Sequence, residues 1–265
     1  MLGARGVSVS PDALRSKVYI PTIEGSLTTE LIARARRYGK LVYPLSPTLS
    51  DVLKEISAGN PVLVLQNLGL NWLPRWHFSV VTGYDLQKKK IKLRSGKQLI
   101  YEVDLKLFEK TWRRANSWAI VIVEPHQIPR TAQETRFFQS ANDLELVGQN
   151  SPALEAYKTL IKRWPTSSLA YFGAGNTSYA LGEFSHANKF FNAYIEQQPQ
   201  SPSGWNNLAY SLLKQGCYKE ASTAIHCALR LAPRSTELFD SYTEISTQKN
   251  ENNQSFFCKQ SKCPL

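Results

Sequence analysis

Residues 202–235 read PSGWNNLAYSLLKQGCYKEASTAIHCALRLAPRS. Trp205, Leu208, Ala209 and Leu212 recur at helical spacing. Gly216 then interrupts the pattern, Ala221, Ile225 and Ala228 resume it, and Pro233 ends it. This is helix, turn, helix and stop, because proline cannot continue a helix. The same punctuation recurs upstream at a period of 34: Pro165, Pro199 and Pro233; Gly148, Gly182 and Gly216; Ala153, Ala187 and Ala221. Three residue types in phase at one period mark a repeat array, in which each unit buries its apolar face on its neighbours.

A 34-residue helix–turn–helix unit is the length of a tetratricopeptide repeat (TPR). The residue pattern resembles that family as well. The second unit has Tyr171, Gly175, Phe191 and Tyr194, and the first has Phe137, Ala141, Leu144, Tyr157 and Leu160. Small residues at 141, 175 and 209 let helices approach closely. We place the repeats at 134–167, 168–201 and 202–235, within an all-α solenoid spanning 134–248. Residues 236 to about 248 would form a polar capping helix. The tail 249–265, polar and aperiodic, is expected to be disordered.

TPR arrays hold extended or helical segments in a concave groove lined by the first helix of each repeat. In this chain the corresponding positions are Phe138, Asn142, Phe172, Asn176, Tyr179, Asn206 and Tyr210. Asparagine amides can pair with a peptide backbone. Asn142, Phe172, Asn176, Asn206 and Tyr210 are therefore the candidate peptide-binding residues, and the expected partner is a protein or peptide. The Lys and Arg set with which chaperone-tail TPRs hold a C-terminal carboxylate is replaced by Phe138, Gly173, Ser203 and Asn207.

Charge is uneven along the chain. Residues 1–125 carry 19 Lys and Arg against 10 Asp and Glu, out of 32 and 21 in all. No nucleic-acid motif accompanies the basic runs, which read as solvated helix faces and hairpin tips. No apolar run is long enough to span a membrane. The opening MLGARGVSVS lacks the apolar stretch of a signal peptide, which would place the chain in the cytoplasm as written. The four cysteines, Cys217, Cys227, Cys258 and Cys263, lack metal-ligand spacing and read as structural or inert. The histidines give no metal motif, and no cofactor is called for.

The front domain, 1–127, is followed by a linker at 128–133. Ser10 and Ser26 read as N-caps, with Pro11 in the first helical position. Helices follow each cap and again at 49–58. Strands are expected at 41–43, 61–66, 77–84, 90–93, 99–103 and 118–123, and a helix at 104–114. Helices lead and an antiparallel sheet follows, an α+β arrangement. Gly6 and Val7 suit a Schellman helix end, so Met1–Arg5 reads as the last turn of a helix.

The segments GVSVSPDAL (6–14), EGSLTTEL (24–31), GNPVLVLQNLGLNWLPRWHFSVVTGYD (59–85) and LRSG (93–96) resemble papain-like cysteine peptidases of the bacteriocin-processing, double-glycine type. The likeness is closest to a bacterial family joining such a domain to TPR repeats. The resemblance implies an incomplete papain-like domain, with His77 at the position of the base and Ser95 at that of the Asp that orients it. Asp85, near in sequence, is a second candidate for the orienting role. The family's nucleophilic Cys and its oxyanion Gln precede the segment like GVSVSPDAL and have no counterpart in this chain.

Two readings follow. The first is a TPR interaction protein with a peptidase-like domain lacking its nucleophile, inactive as a peptidase. The alternative is a cysteine peptidase whose nucleophile segment is missing from this chain, periplasmic or lipid-anchored if an upstream signal accompanies it. With that helix missing, 61–66 and 78–81 would expose apolar surface.

Overall fold

The computed structural model describes residues 1–20, 25–95, 98–247, 258 and 263. Glu24 of the second resembling segment, Gly96 of LRSG, Gln248 of the expected cap and the tail other than its two cysteines lie outside the described residues. The chain divides into two compact units, 1–152 and 153–265.

The first unit opens with a one-turn 3₁₀ helix, Leu2–Arg5, ended by Gly6 at φ 73°. The Val7 amide donates to the Leu2 carbonyl at 3.2 Å, the long bond of a Schellman end. Then come α1 (Pro11–Val18), α2 (Thr28–Arg37), β1 (Leu41–Pro44), α3 (Leu49–Ser57), β2 (Val62–Asn67), β3 (Trp76–Asp85), β4 (Lys90–Ser95), β5 (Gln98–Asp104), α4 (Leu105–Arg113), β6 (Ala119–Val123) and α5 (Glu134–Leu146). The Ser10 hydroxyl accepts from the Ala13 amide at 3.2 Å, as expected of its cap. Ser26 does not cap α2: the N-cap is Leu27, with no side-chain bond, because the helix begins one residue later than the Ser-based reading.

The strands form one antiparallel sheet in the order β1-β6-β2-β3-β4-β5. Its faces follow from register. Gln66 pairs with His77, Val64 with Ser79 and Val62 with Val81, so these share one face. Against it pack α3 and α4, which bury Val52, Phe108 and Trp112. The other face carries Leu63, Val80, Ile120 and Ile122, covered in part by Ala35 and Ile32 of α2 and by Met1 and Leu2. The expected exposure of 61–66 and 78–81 holds for neither face in full. Val62, Val64 and Val81 are wholly buried, while Leu63, Leu65, Phe78 and Val80 are half-buried.

The stretch read as a linker is tied to the sheet unit. The Glu55 carboxylate accepts from the Thr131 amide (2.7 Å) and hydroxyl (2.6 Å). The Tyr43 hydroxyl receives the Gln133 amide (3.0 Å) and donates to the Thr131 carbonyl (3.2 Å). Helix α5 packs on β1.

The second unit takes in most of α6 (Asn150–Arg163), with α7 (Ser168–Ala180), α8 (Phe184–Gln197), α9 (Pro202–Lys214), α10 (Tyr218–Leu231) and α11 (Thr236–Thr247). The phased glycines stand just past helix ends in the left-handed region, at φ 74°, 77° and 80° for Gly148, Gly182 and Gly216, a conformation that glycine adopts at least cost. Trp205, Leu208, Ala209, Leu212, Ala221, Ile225 and Ala228 all lie in one buried cluster.

The cysteines are structural, one of the two roles read from the sequence, and they are paired. Cys217 is bonded to Cys258 and Cys227 to Cys263, so none is a free thiol. Sequence could not show this pairing, because spacings of 41 and 36 residues match no local motif. At Cys258 and Cys263 the expectation of a disordered tail is also corrected, since both are fixed to the third repeat.

Candidate functional site

The repeat phase sets the groove. Asn176 and Tyr179 stand one turn apart on α7; Asn207 and Tyr210 do the same on α9. With Phe191 of α8 these four line a cavity of about 320 Å³. Asn207 Nδ2 donates to Asn176 Oδ1 at 2.9 Å. Asn206, beside the cavity, donates to Asn207 Oδ1 at 3.4 Å. Its own Oδ1 is buried without a partner among the described residues. The Tyr210 hydroxyl donates to Glu244 Oε2 of α11 at 2.8 Å.

Burial pushes the Tyr179 phenol above its ordinary value of 10.0, and the Glu244 charge adds to the shift. Tyr210 is raised chiefly by burial as well, with the Glu244 hydrogen bond and charge reinforcing the shift and a Ser241 hydrogen bond opposing it. Both hydroxyls therefore stay neutral and able to donate well into alkaline conditions.

Chemically this is a small aromatic box with amides at its mouth. Among the described residues the Asn176 N–H₂ group and the Tyr179 hydroxyl have no hydrogen-bond partner, which leaves donors for a ligand backbone. Phe172 lies outside the cavity lining, its ring against Phe191 (6.0 Å) and Tyr194 (4.9 Å). Asn142 is on α5, in the first unit. The sequence reading named Asn207 only at a carboxylate-clamp position and not among the candidate peptide contacts. The available signal was buried Trp205 and Leu208, which turn Asn207 and Tyr210 together toward the opposite side of α9.

The peptidase-type positions lie in the sheet unit. His77, half-buried near the start of β3, shares a 2.6 Å hydrogen bond between Nε2 and the Ser95 hydroxyl at the end of β4. Beside it on β2, Gln66 donates to Thr111 Oγ1 at 2.8 Å. Asp85 is eight residues further along β3, about 27 Å at the rise of a strand. Its carboxylate accepts the Lys88 amide at 2.9 Å, and this bond holds its pKa below the usual carboxylate value. The structure thus joins His77 to Ser95 and not to Asp85. A serine hydroxyl can orient an imidazole but brings no charge to stabilise its protonated form.

Cys217, Glu220 and Cys258 place possible ligand atoms within 4.8 Å of one another. The two sulfurs are bonded to each other, which leaves a single carboxylate for any metal.

A family model described as tetratricopeptide repeat matches residues 190–221. Among solved structures, the chain is similar to the first TPR of Spaghetti (RPAP3) bound to the HSP90 peptide SRMEEVD, with 15% identity, 43% of this chain and 90% of that one covered, and a TM-score of 0.42. It is similar to the Yersinia enterocolitica type III secretion chaperone SycD in complex with a peptide of the translocator YopD, with 19% identity, 44% and 92% covered, and a TM-score of 0.40. YrrB, a TPR protein with an unusual peptide-binding site, shares 20% identity, with 44% and 61% covered and a TM-score of 0.41. No curated protein matches the chain.

Proposed function

We propose that this protein is a TPR interaction protein that holds an extended or helical peptide segment in the groove of α7 and α9. The observation that carries this reading is the aromatic cavity with its Asn207–Asn176 amide pair at the mouth. Asn176 and Asn207 contact the ligand backbone, and Tyr179, Phe191 and Tyr210 take an apolar side chain. Such segments bind with micromolar affinity, about −8 kcal/mol. Binding to an array of random peptides tests it. The variant N176A/N207A is expected to lose its selected peptides by tenfold or more; equal binding by both proteins overturns the groove.

For the sheet unit we infer a papain-like domain with no free thiol among the described residues to serve as its nucleophile, a reading favoured by the His77–Ser95 hydrogen bond at the positions of base and orienting residue. All four cysteines are consumed in disulfides. The purified chain is expected to leave peptide libraries intact. Thiol-dependent cleavage that His77→Ala abolishes would instead favour the alternative, an active cysteine peptidase.

A further inference from the structure

Among the described residues, the loop between β2 and β3 carries a continuous run of exposed large apolar side chains. Its sequence is NLGLNWLPRW, Asn67–Trp76, with no acidic residue. Trp72 is 78% exposed, Leu73 59% and Trp76 57%, and Leu68 and Leu70 are about half exposed. Apolar groups of this size in one continuous stretch mark a contact surface rather than ordinary surface variation.

The loop is also rigid. The Leu68 amide donates to the Arg75 carbonyl at 2.8 Å, and Leu70 and Leu73 exchange amide–carbonyl bonds at 3.1 and 3.2 Å. Asn67 Oδ1 accepts the Gly69 and Arg75 amides, both at 2.9 Å, and its Nδ2 donates to the Leu70 carbonyl. Arg114 donates to the Gly69 carbonyl at 2.7 Å. Gly69 itself has no room for a side chain, since a Cβ there would lie 2.4 Å from the Leu73 carbonyl oxygen. These bonds fix the two ends of the loop and hold its apolar side chains outward, with the amides of residues 68, 69, 70, 73 and 75 all partnered.

The surroundings are cationic. Arg75 lies in the loop itself, and Lys110, Arg113 and Arg114 stand on the last turn of α4 and just past it, where Arg114 meets the loop. The acidic group among them, Glu109, is paired with Arg113 at 2.7 Å.

We propose that this loop seats the protein on an anionic lipid bilayer, with Trp72, Leu73 and Trp76 entering the headgroup–acyl boundary and Arg75, Lys110 and Arg114 meeting lipid phosphates. Two observations favour a membrane over a protein partner. The apolar groups are displayed on a projecting loop between strands. Tryptophan and leucine with flanking arginine match an interfacial anchor.

The test is flotation of the full chain with phosphatidylcholine vesicles, with and without phosphatidylglycerol. The chain is expected to float with the anionic vesicles and to remain free with the neutral ones. W72S/L73S is expected to lower the lipid partition coefficient by at least tenfold, and R75Q by about fivefold, the effect of one cation near an anionic leaflet. Far-UV circular dichroism confirms that both variants keep the fold. Failure of the wild type to float, or equal flotation of wild type and W72S/L73S, overturns the proposal. So does a concentration-dependent dimer that W72S/L73S abolishes, since the loop would then be covered by a second copy.

Discussion

Tyr210 and Glu244 stand 34 residues apart, at the same phase of the repeat, and share a 2.8 Å hydrogen bond. Asn176 is the preceding member of this column. Helix α11 therefore supplies Glu244 at the phase that Asn176 and Tyr210 occupy on α7 and α9, and it puts a carboxylate where the groove ends.

This arrangement predicts alkaline sensitivity of the second unit. Tyr179 and Tyr210 have folded pKa values raised above 10.0. Folding holds their protons more tightly than the unfolded chain does. The associated stability is complete below the unfolded value and lost as pH rises through the folded one. Ultraviolet titration of phenolate should show these two tyrosines ionising after exposed ones. Glu244→Gln should move both downward by removing the raising charge. Unchanged titration in that variant would mean that burial alone sets the shift.

The disulfides predict a second property. Each closes a long stretch of chain, 41 residues for Cys217–Cys258 and 36 for Cys227–Cys263. Cross-links of this span typically contribute about 2–5 kcal/mol, chiefly by restricting the unfolded state. Denatured protein should show no reactive thiol before reduction and four after it. Reduction should lower the melting temperature of the repeat unit and leave the sheet unit unchanged. Bonds of this kind persist in oxidising compartments, so we expect protein made in a reducing cytosol to be the less stable form.

A third prediction concerns close packing between repeat helices. A Cβ on Gly175 would lie 2.5 Å from the Phe191 ring, and that ring is only 1% exposed and cannot swing aside. Gly175→Ala should cost about 1–3 kcal/mol by overpacking, despite alanine's better helix propensity. Urea denaturation checks this. Adding Phe191→Leu should recover part of the loss, because it removes the atoms that clash.

The repeats were legible because their meaning lies in spacing. A proline, a glycine and an alanine in phase fix helix ends, turns and contacts without reference to anything distant. The hairpin strands and the Ser10 cap were legible for the same local reason. The sheet order and the disulfides were not, since β6 joins β1 to β2 and the cysteine partners lie some 40 residues apart. Of the residues the repeat pattern named for a groove, Asn176, Tyr179 and Tyr210 line one cavity. The sequence reading named Asn206 as a peptide contact and Asn207 only at a carboxylate-clamp position, because a pattern with a 34-residue period does not specify rotation about a helix to within one residue. His77 and Ser95 were paired through a resemblance, and the hydrogen bond between them is a fact of register that no single strand displays.

The last prediction concerns Glu55, a wholly buried carboxylate on α3. Oε1 accepts the Thr131 amide and hydroxyl, and Oε2 accepts Asn60 Nδ2 at 2.7 Å. Asn60 Oδ1 in turn accepts Arg5 Nη2 at 2.6 Å, while Arg5 Nε donates to the Ile122 carbonyl at 2.9 Å. One chain of bonds thus links the first helical turn, the β6 strand and the segment after the sheet. Glu55→Ala strands the Thr131 amide and should cost about 3–5 kcal/mol. Glu55→Gln keeps an acceptor for Thr131 but turns a donor toward Asn60. The Asn60 amide must then flip, which takes its acceptor away from Arg5. Glu55→Gln and Arg5→Ala should therefore be non-additive, with the double variant less damaged than the sum of the two by about 1 kcal/mol or more. Urea titration of the four proteins of this cycle measures the coupling. Additivity within about 0.3 kcal/mol would show that Arg5 and Glu55 act independently, and that Asn60 does not relay between them.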